Sequence, residues 1–285
     1  MHYLGIDAGA SATKWALIND SGILLSGKEL AMDGHIYRDS SKSRMEEVLN
    51  QIARKILGSE ISGVYMGITG VTHDGSIENL LQKNFNAPSK VVSDIELAYR
   101  ANFSDRPGIL LYAGTGSVAF SIDEKNEIHK IGGWGYLLGD EGAGYWIGRE
   151  AIRHALFLLE ENIVFNSESL AGSTLNAMNA SDWESVKNFV YSNERSTIAA
   201  LSRVVDLAAV NGDLDALNIL EKAAGHLAEL VSRIDKVLVR KSLSVKFAGG
   251  ISSSTQLYLL LEKYLRQRVS ISTVDIAVRA AELAR

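Results

Sequence analysis

The chain has 285 residues, 46% hydrophobic and 22% charged, with 29 basic and 34 acidic side chains and a net charge of −5. That length suits one large domain or two ordinary ones with a real core, and an acidic balance without a basic cluster argues against nucleic acid or anionic membrane as a partner. With no cysteine there is no disulfide, thiolate nucleophile, thiolate zinc site or cysteine-held iron–sulfur cluster.

In chain order, residues 3–6 alternate apolar and small residues and read as a strand. It turns at Asp7-Ala8-Gly9-Ala10-Ser11 and resumes as a second strand at 14–18. Asn19-Asp20-Ser21-Gly22 then precedes a third strand at 23–29. Helical periodicity through Met45, Val48, Leu49, Ile52, Ala53 and Ile56 predicts a helix over 40–57, with Gly58 as a stop signal. A buried strand is expected at 64–68, a short helix at 77–84, a strand at 90–93 and a helix from Asp94 to about 101. Asp105-Arg106-Pro107-Gly108 reads as a linker.

The pattern then begins again. A strand at 109–113, a turn at Gly114-Thr115-Gly116-Ser117, a strand at 118–122, a turn at 123–126 and a strand near Ile128 mirror residues 3–29, which points to an internal duplication. Residues 145–240 read as mostly helical, with a long amphipathic stretch at 214–239. Its stripe of Leu214, Leu217, Leu220, Ala224, Leu227 and Leu230 reads as core or subunit interface. A strand at 245–248 ends in Gly249-Gly250-Ile251, and helices are expected at 255–268 and 274–285.

The chemistry sits in the glycine turns. Asp7 ends a strand and Gly9 follows, so backbone N–H groups there can face phosphate oxygens, with Asp7 holding Mg²⁺ and Thr13 or Lys14 meeting a phosphate. Gly114, Thr115, Gly116 and Ser117 repeat the device in the second half. Gly249 and Gly250, at a strand end opening towards a helix, leave room for a flat adenine. Each segment taken alone is also ordinary turn chemistry; their joint order is what raises them above it. The histidines at 2, 35, 73, 129, 154 and 226 show no metal-ligand spacing, so any metal is expected to be oxygen-liganded Mg²⁺.

That order resembles the superfamily of actin, heat-shock ATPases and sugar kinases. The run Gly132-Gly133-Trp134-Gly135-Tyr136-Leu137-Leu138-Gly139-Asp140-Glu141-Gly142-Ala143-Gly144-Tyr145-Trp146-Ile147-Gly148 is similar to the signature of N-acetylglucosamine kinases and the related BadF/BadG/BcrA/BcrD ATPases. The resemblance implies a two-lobed α/β actin-like (ribonuclease H-like) fold, with duplicated mixed sheets flanked by helices and ATP–Mg²⁺ in the interlobe cleft. The lobes would be 1–105 and 106–285, the second carrying a helical insertion and the last helix returning to the first lobe. By the same resemblance Asp94 falls at the catalytic base, Asp140 would hydrogen-bond sugar hydroxyls, and Trp134 with Gly135 would shape the pocket wall. Glu141 would touch the sugar or cap the following helix. As simple sequence, Asp94 is also an N-cap position after Ser93, and Asp140 a turn residue.

The chain departs from the family twice. Val118 stands where kinases of N-acetylglucosamine similar to the animal enzyme carry an Asn that contacts the sugar. The absence of cysteine excludes the iron–sulfur activators of the same family. The expected activity is phosphoryl transfer from ATP to a small sugar, N-acetylglucosamine or a related amino sugar first. The alternatives are 2-keto-3-deoxygluconate, a broad hexokinase activity, or a nucleotide-switched regulator. No apolar run approaches the roughly 18 residues of a membrane span, and Met1-His2-Tyr3-Leu4-Gly5-Ile6-Asp7 lacks the features of a signal peptide, so a cytoplasmic protein is expected, with dimers common among similar kinases. Residues 67–71 could line the substrate floor or be a plain turn. His35 and His73 read as solvated loop histidines, and Glu160-Glu161 and Arg266-Gln267-Arg268 as solvated helix faces.

Overall fold

The computed structural model describes every residue except 10, 73, 105, 106 and 240–242. Ala10 of the first glycine turn, His73, the Asp105-Arg106 half of the linker and Arg240 therefore lie outside the described residues. The elements in chain order are β1 (His2–Ala8), β2 (Thr13–Asn19), β3 (Gly22–Glu29), α1 (Asp39–Lys55), β4 (Ile61–Ile68), α2 (Ser76–Phe85), β5 (Ser89–Ser93) and α3 (Asp94–Asn102). Then follow β6 (Gly108–Ala113), β7 (Ser117–Ile122), β8 (Ile128–Gly132), α4 (Gly144–Glu160), α5 (Leu170–Met178), α6 (Trp183–Ser192), α7 (Arg195–Ala200), α8 (Ser202–Val210) and α9 (Leu214–Leu238). The chain closes with β9 (Ser244–Ala248), a 3₁₀ turn (Gly250–Ser253), α10 (Thr255–Leu265), β10 (Val269–Ile271) and α11 (Ile276–Leu283).

Two compact units result, Met1–Asp105 with Thr273–Arg285, and Arg106–Ser272. The first holds a sheet in the order β3-β2-β1-β4-β5 and the second a sheet in the order β10-β9-β6-β7-β8. Read from the other edge, the second order is β8-β7-β6-β9-β10. In each, the first strand pairs antiparallel with the next and parallel with the fourth. The duplication thus extends over five strands in each half, an α/β architecture of two mixed sheets flanked by helices.

In the first unit, Leu4 and Ile6 of β1 and Val64, Met66 and Ile68 of β4 are buried, as strands flanked on both sides require. Helix α1 lays Met45, Val48, Leu49 and Ile52 onto this core at i, i+3, i+4 and i+7. Helix α11 packs on the other face of β1, where a Cβ on Gly5 would collide with the Ala277 carbonyl. Only glycine permits that approach.

In the second unit, α9 is started by Asp213, whose carboxylate accepts from the Asp215 and Ala216 amides at 3.0 and 2.9 Å. Its buried stripe runs through Ala216, Leu220, Ala224, Leu227 and Val231, whereas Leu214 is 79% exposed. The apolar stripe read from the sequence is therefore core along most of its length and exposed at its first residue. Among the described residues, no helix is long and apolar enough to cross a membrane.

One expected element is corrected. The helix anticipated over 255–268 stops at Leu265, with Arg266 left-handed at φ 55°, and a three-residue strand follows. Glu262 accepts from the Val269 amide at 2.8 Å and from the Tyr258 hydroxyl at 2.9 Å, which bends the chain back towards β9. Three residues are too few to show a strand period.

Candidate functional site

The first unit gathers three carboxylates and one ammonium. Asp7 is the penultimate residue of β1 and sits opposite Lys14 in the β1–β2 ladder, so both side chains share one face. Asp94 opens α3 directly after β5, two strands away in the same sheet, and its Oδ1 accepts from the Ile95 amide at 2.9 Å. The helix cap is Ser93, whose hydroxyl accepts from the Glu96 amide at 3.2 Å, so the capping role falls on the serine and not on Asp94. Asp275, which the sequence reading missed, caps α11 by accepting from the Ala277 and Val278 amides at 3.0 and 3.2 Å.

These groups share a field. Burial pushes the Asp7 carboxyl from 3.8 up to about 6; Lys14 opposes this, and the neighbouring Asp94 and Asp275 add to it. A carboxyl held this way has negative charge that an oxygen-seeking cation would relieve, which fits Mg²⁺. Gly9 donates to the Ala12 carbonyl at 3.1 Å, and a Cβ there would meet nothing closer than ordinary contact. The protein itself therefore does not require glycine at position 9, and the open backbone is available to a ligand. Thr13 differs from expectation. It sits fully buried on the opposite face of β2 from Lys14, and its hydroxyl finds no partner among the described residues.

In the second unit the separate glycine segments are knitted together. Gly114 donates to the Gly116 carbonyl at 2.9 Å, forming the turn between β6 and β7. The Gly144 amide donates to the Gly114 carbonyl at 2.8 Å and the Tyr145 amide to the Thr115 carbonyl at 3.2 Å. Ser117 completes the seam: its hydroxyl donates to the Glu141 carbonyl at 3.0 Å, and its amide to Asp140 Oδ1 at 3.2 Å. A Cβ on Gly144 would stand 2.9 Å from the Gly114 carbonyl, and one on Gly116 would collide with the Asp140 carboxylate.

Gly249 belongs to the same cluster, because a Cβ there would strike Ala113 and its φ is 99°. A Cβ on Gly250 would meet nothing within 4 Å. So Gly249 is demanded by the fold, whereas Gly250 presents open backbone.

Asp140 is a half-buried carboxylate in the left-handed region, φ 65°. Burial raises its pKa and nearby Glu141 adds to that; the Ser117 and Gly135 amides and Arg195 pull it down. Two accepted N–H bonds leave capacity for a hydroxyl on the same carboxylate. Trp134 is 60% exposed with the Arg233 guanidinium 5.4 Å from its ring, Gly135 has φ 86°, and the Glu141 side chain is exposed. Arg195 lies 5.0 Å from the Tyr136 ring, and Tyr136 meets Tyr145 edge-on at 5.1 Å. No local signal in the sequence singled out either arginine. Val118 packs beside Gly133, and His35 is tied to Asp33 at 2.9 Å and lies against Gly70 rather than standing free in solvent.

Known proteins resemble this chain along nearly its whole length. The pattern of the BadF/BadG/BcrA/BcrD ATPase family matches residues 4–282. An N-acetylmuramic acid/N-acetylglucosamine kinase of Clostridium acetobutylicum is 31% identical over 93% of this chain and 90% of its own length. An N-acetyl-D-glucosamine kinase of Dictyostelium discoideum is 23% identical over 99% of this chain and 97% of its own. Among solved structures, a provisionally named N-acetylglucosamine kinase from Chromobacterium violaceum superposes with a TM-score of 0.79 at 21% identity, covering 100% and 99% of the two chains. A ROK family glucokinase from Streptomyces griseus, in complex with glucose and AMPPNP, gives 0.65 at 15% identity, covering 100% and 99%. These two likenesses establish the actin-like sugar-kinase fold. The match along nearly the whole chain establishes more: this protein belongs to the BadF/BadG/BcrA/BcrD ATPase family.

Proposed function

We propose that the protein transfers the γ-phosphoryl group of ATP to a hydroxyl of an N-acetylated amino sugar, N-acetylglucosamine first and N-acetylmuramic acid with it. The observation that carries this reading is the placement of Asp94 beside Asp7, at the carboxyl ends of strands in one sheet. The names borne by the Clostridium and Dictyostelium relatives support it and supply the sugar class.

Asp94 accepts the proton of the acceptor hydroxyl as its oxygen bonds to the γ-phosphorus and the bond to the β-phosphate oxygen breaks, releasing ADP. Asp7 would hold Mg²⁺, which when bound neutralises phosphate charge. Lys14, opposite Asp7, and the open amides around Gly9 meet phosphate oxygens. Gly114, Thr115, Gly116 and Ser117 present the second phosphate-binding turn, and Gly250 offers bare backbone to the nucleotide. Asp140, with Trp134, Gly135 and Glu141, binds the sugar.

The test is ADP release from ATP–Mg²⁺ with N-acetylglucosamine. Asp94→Asn should lower kcat by about 10²–10⁴-fold, the range of a lost general base, with ATP affinity within about threefold of wild type. Full turnover in that variant removes Asp94 from the role of base. Wild-type protein that phosphorylates no sugar overturns the reading.

A further inference from the structure

We propose that Arg195 reads a carboxylate on the acceptor, so that the protein takes amino sugars bearing an acidic substituent as well as their neutral parents. The inference rests on the kinase reading above and goes beyond it by naming a residue that sets specificity.

Arg195 opens α7, far in sequence from the glycine signature, yet the fold carries it to the loop that holds Asp140. Its guanidinium stacks 5.0 Å from the Tyr136 ring, and Tyr136 is itself braced edge-on by Tyr145 at 5.1 Å and 72°. The Tyr145 backbone is held in turn by its N–H, which donates to the Thr115 carbonyl at 3.2 Å. The cation thus rests on an aromatic ring, a contact that uses none of its N–H donors.

Five arginines spend their N–H fork on carboxylates of the protein, Arg149 and Arg153 on Glu150, Arg100 on Glu96, Arg44 on Glu47 and Arg279 on Glu282, and Arg195 is among those that do not. Among the described residues, no carboxylate within ion-pair distance engages Arg195. Tyr136 lies in the loop between Trp134 and Asp140, so the guanidinium over its ring stands at the expected sugar-binding segment, and its charge helps to hold the Asp140 pKa down. A planar, always-charged fork suits bidentate recognition of a carboxylate, which holds it more strongly than the single hydroxyls of a neutral sugar. Arg233, 5.4 Å from the Trp134 ring, is the rival cation, and the experiment includes it.

The experiment measures kcat/KM for N-acetylmuramic acid and N-acetylglucosamine with the wild type, R195Q, R195K and R233Q, each checked for folding by a thermal melt. R195Q should lower the acid-to-neutral ratio at least tenfold, chiefly through KM for the acid, and R195K should recover part of it. An equal loss on both sugars would mean that Arg195 only props the loop, and a ratio that falls in R233Q alone would assign the role to Arg233; either overturns the proposal. Wild-type protein active on the neutral sugar alone overturns it too, with the kinase reading intact. Activity on neither sugar overturns both.

Discussion

Asp140 Oδ1 accepts the Ser117 amide at 3.2 Å across 23 residues of sequence, and the glycine at 116 is what lets the carboxylate approach. The expected sugar ligand and the expected phosphate turn are therefore one structure. A change at either should be felt at both.

Asp140→Ala would orphan the Ser117 amide, in a residue only 3% exposed. A buried unsatisfied donor costs about 1–3 kcal/mol, so the urea midpoint should fall accordingly, with KM for the sugar rising in the same variant. Gly116→Ala should destabilise by a similar amount, because the added methyl collides with the carboxylate. Unchanged midpoints in both would mean that the seam contributes nothing to stability.

The glycines divide into two classes that a denaturation series can separate. A methyl added at Gly9 or Gly250 would meet no close neighbour, so Gly9→Ala and Gly250→Ala should leave stability within about 0.5 kcal/mol while weakening ATP binding about tenfold, or ~1.4 kcal/mol. Gly249→Ala, which strikes Ala113 and needs φ 99°, should destabilise the fold by about 1–3 kcal/mol or more. Equal behaviour of the two classes would remove the assignment of Gly9 and Gly250 to the nucleotide.

Asp7 predicts an unusual pH dependence. Its carboxyl is held at about 6 against 3.8. Between roughly pH 4 and 6 the folded chain keeps a proton that the unfolded chain has lost, so this group's contribution to stability falls as pH rises through that window and then levels. Asp7→Asn abolishes the titration. It should be more stable than wild type at pH 7.5 and flatten the profile between pH 4.5 and 7, while losing Mg²⁺-dependent phosphoryl transfer. Greater stability of the wild type at pH 7.5 would contradict the burial argument.

Helix α11 depends on the bare backbone of Gly5. Gly5→Val places a side chain where the Ala277 carbonyl stands. Such overpacking should destabilise by about 1–3 kcal/mol or more, with faster amide exchange in α11 than elsewhere in the first unit. Wild-type exchange in α11 would show that the helix is held by other contacts.

Much of the fold was legible because its signals are local. The strand–turn–strand starts at Tyr3 and Ile109, the amphipathic face of α1 and the amphipathic stretch of α9 depend on periods and turns within a dozen residues. The glycine signature at 132–148 and the Asp7 and Asp94 positions were legible as motifs. Tertiary structure alone decided that the Thr13 side chain is fully buried, that β10 exists, and that Gly249 serves the fold where Gly250 stands open. It also carried Asp275 to Asp7 and Arg195 to Asp140. Periodicity and turn chemistry are properties of neighbouring residues, whereas contacts closed over tens or hundreds of residues are set by how the sheets pack and close their loops, which no local spacing records.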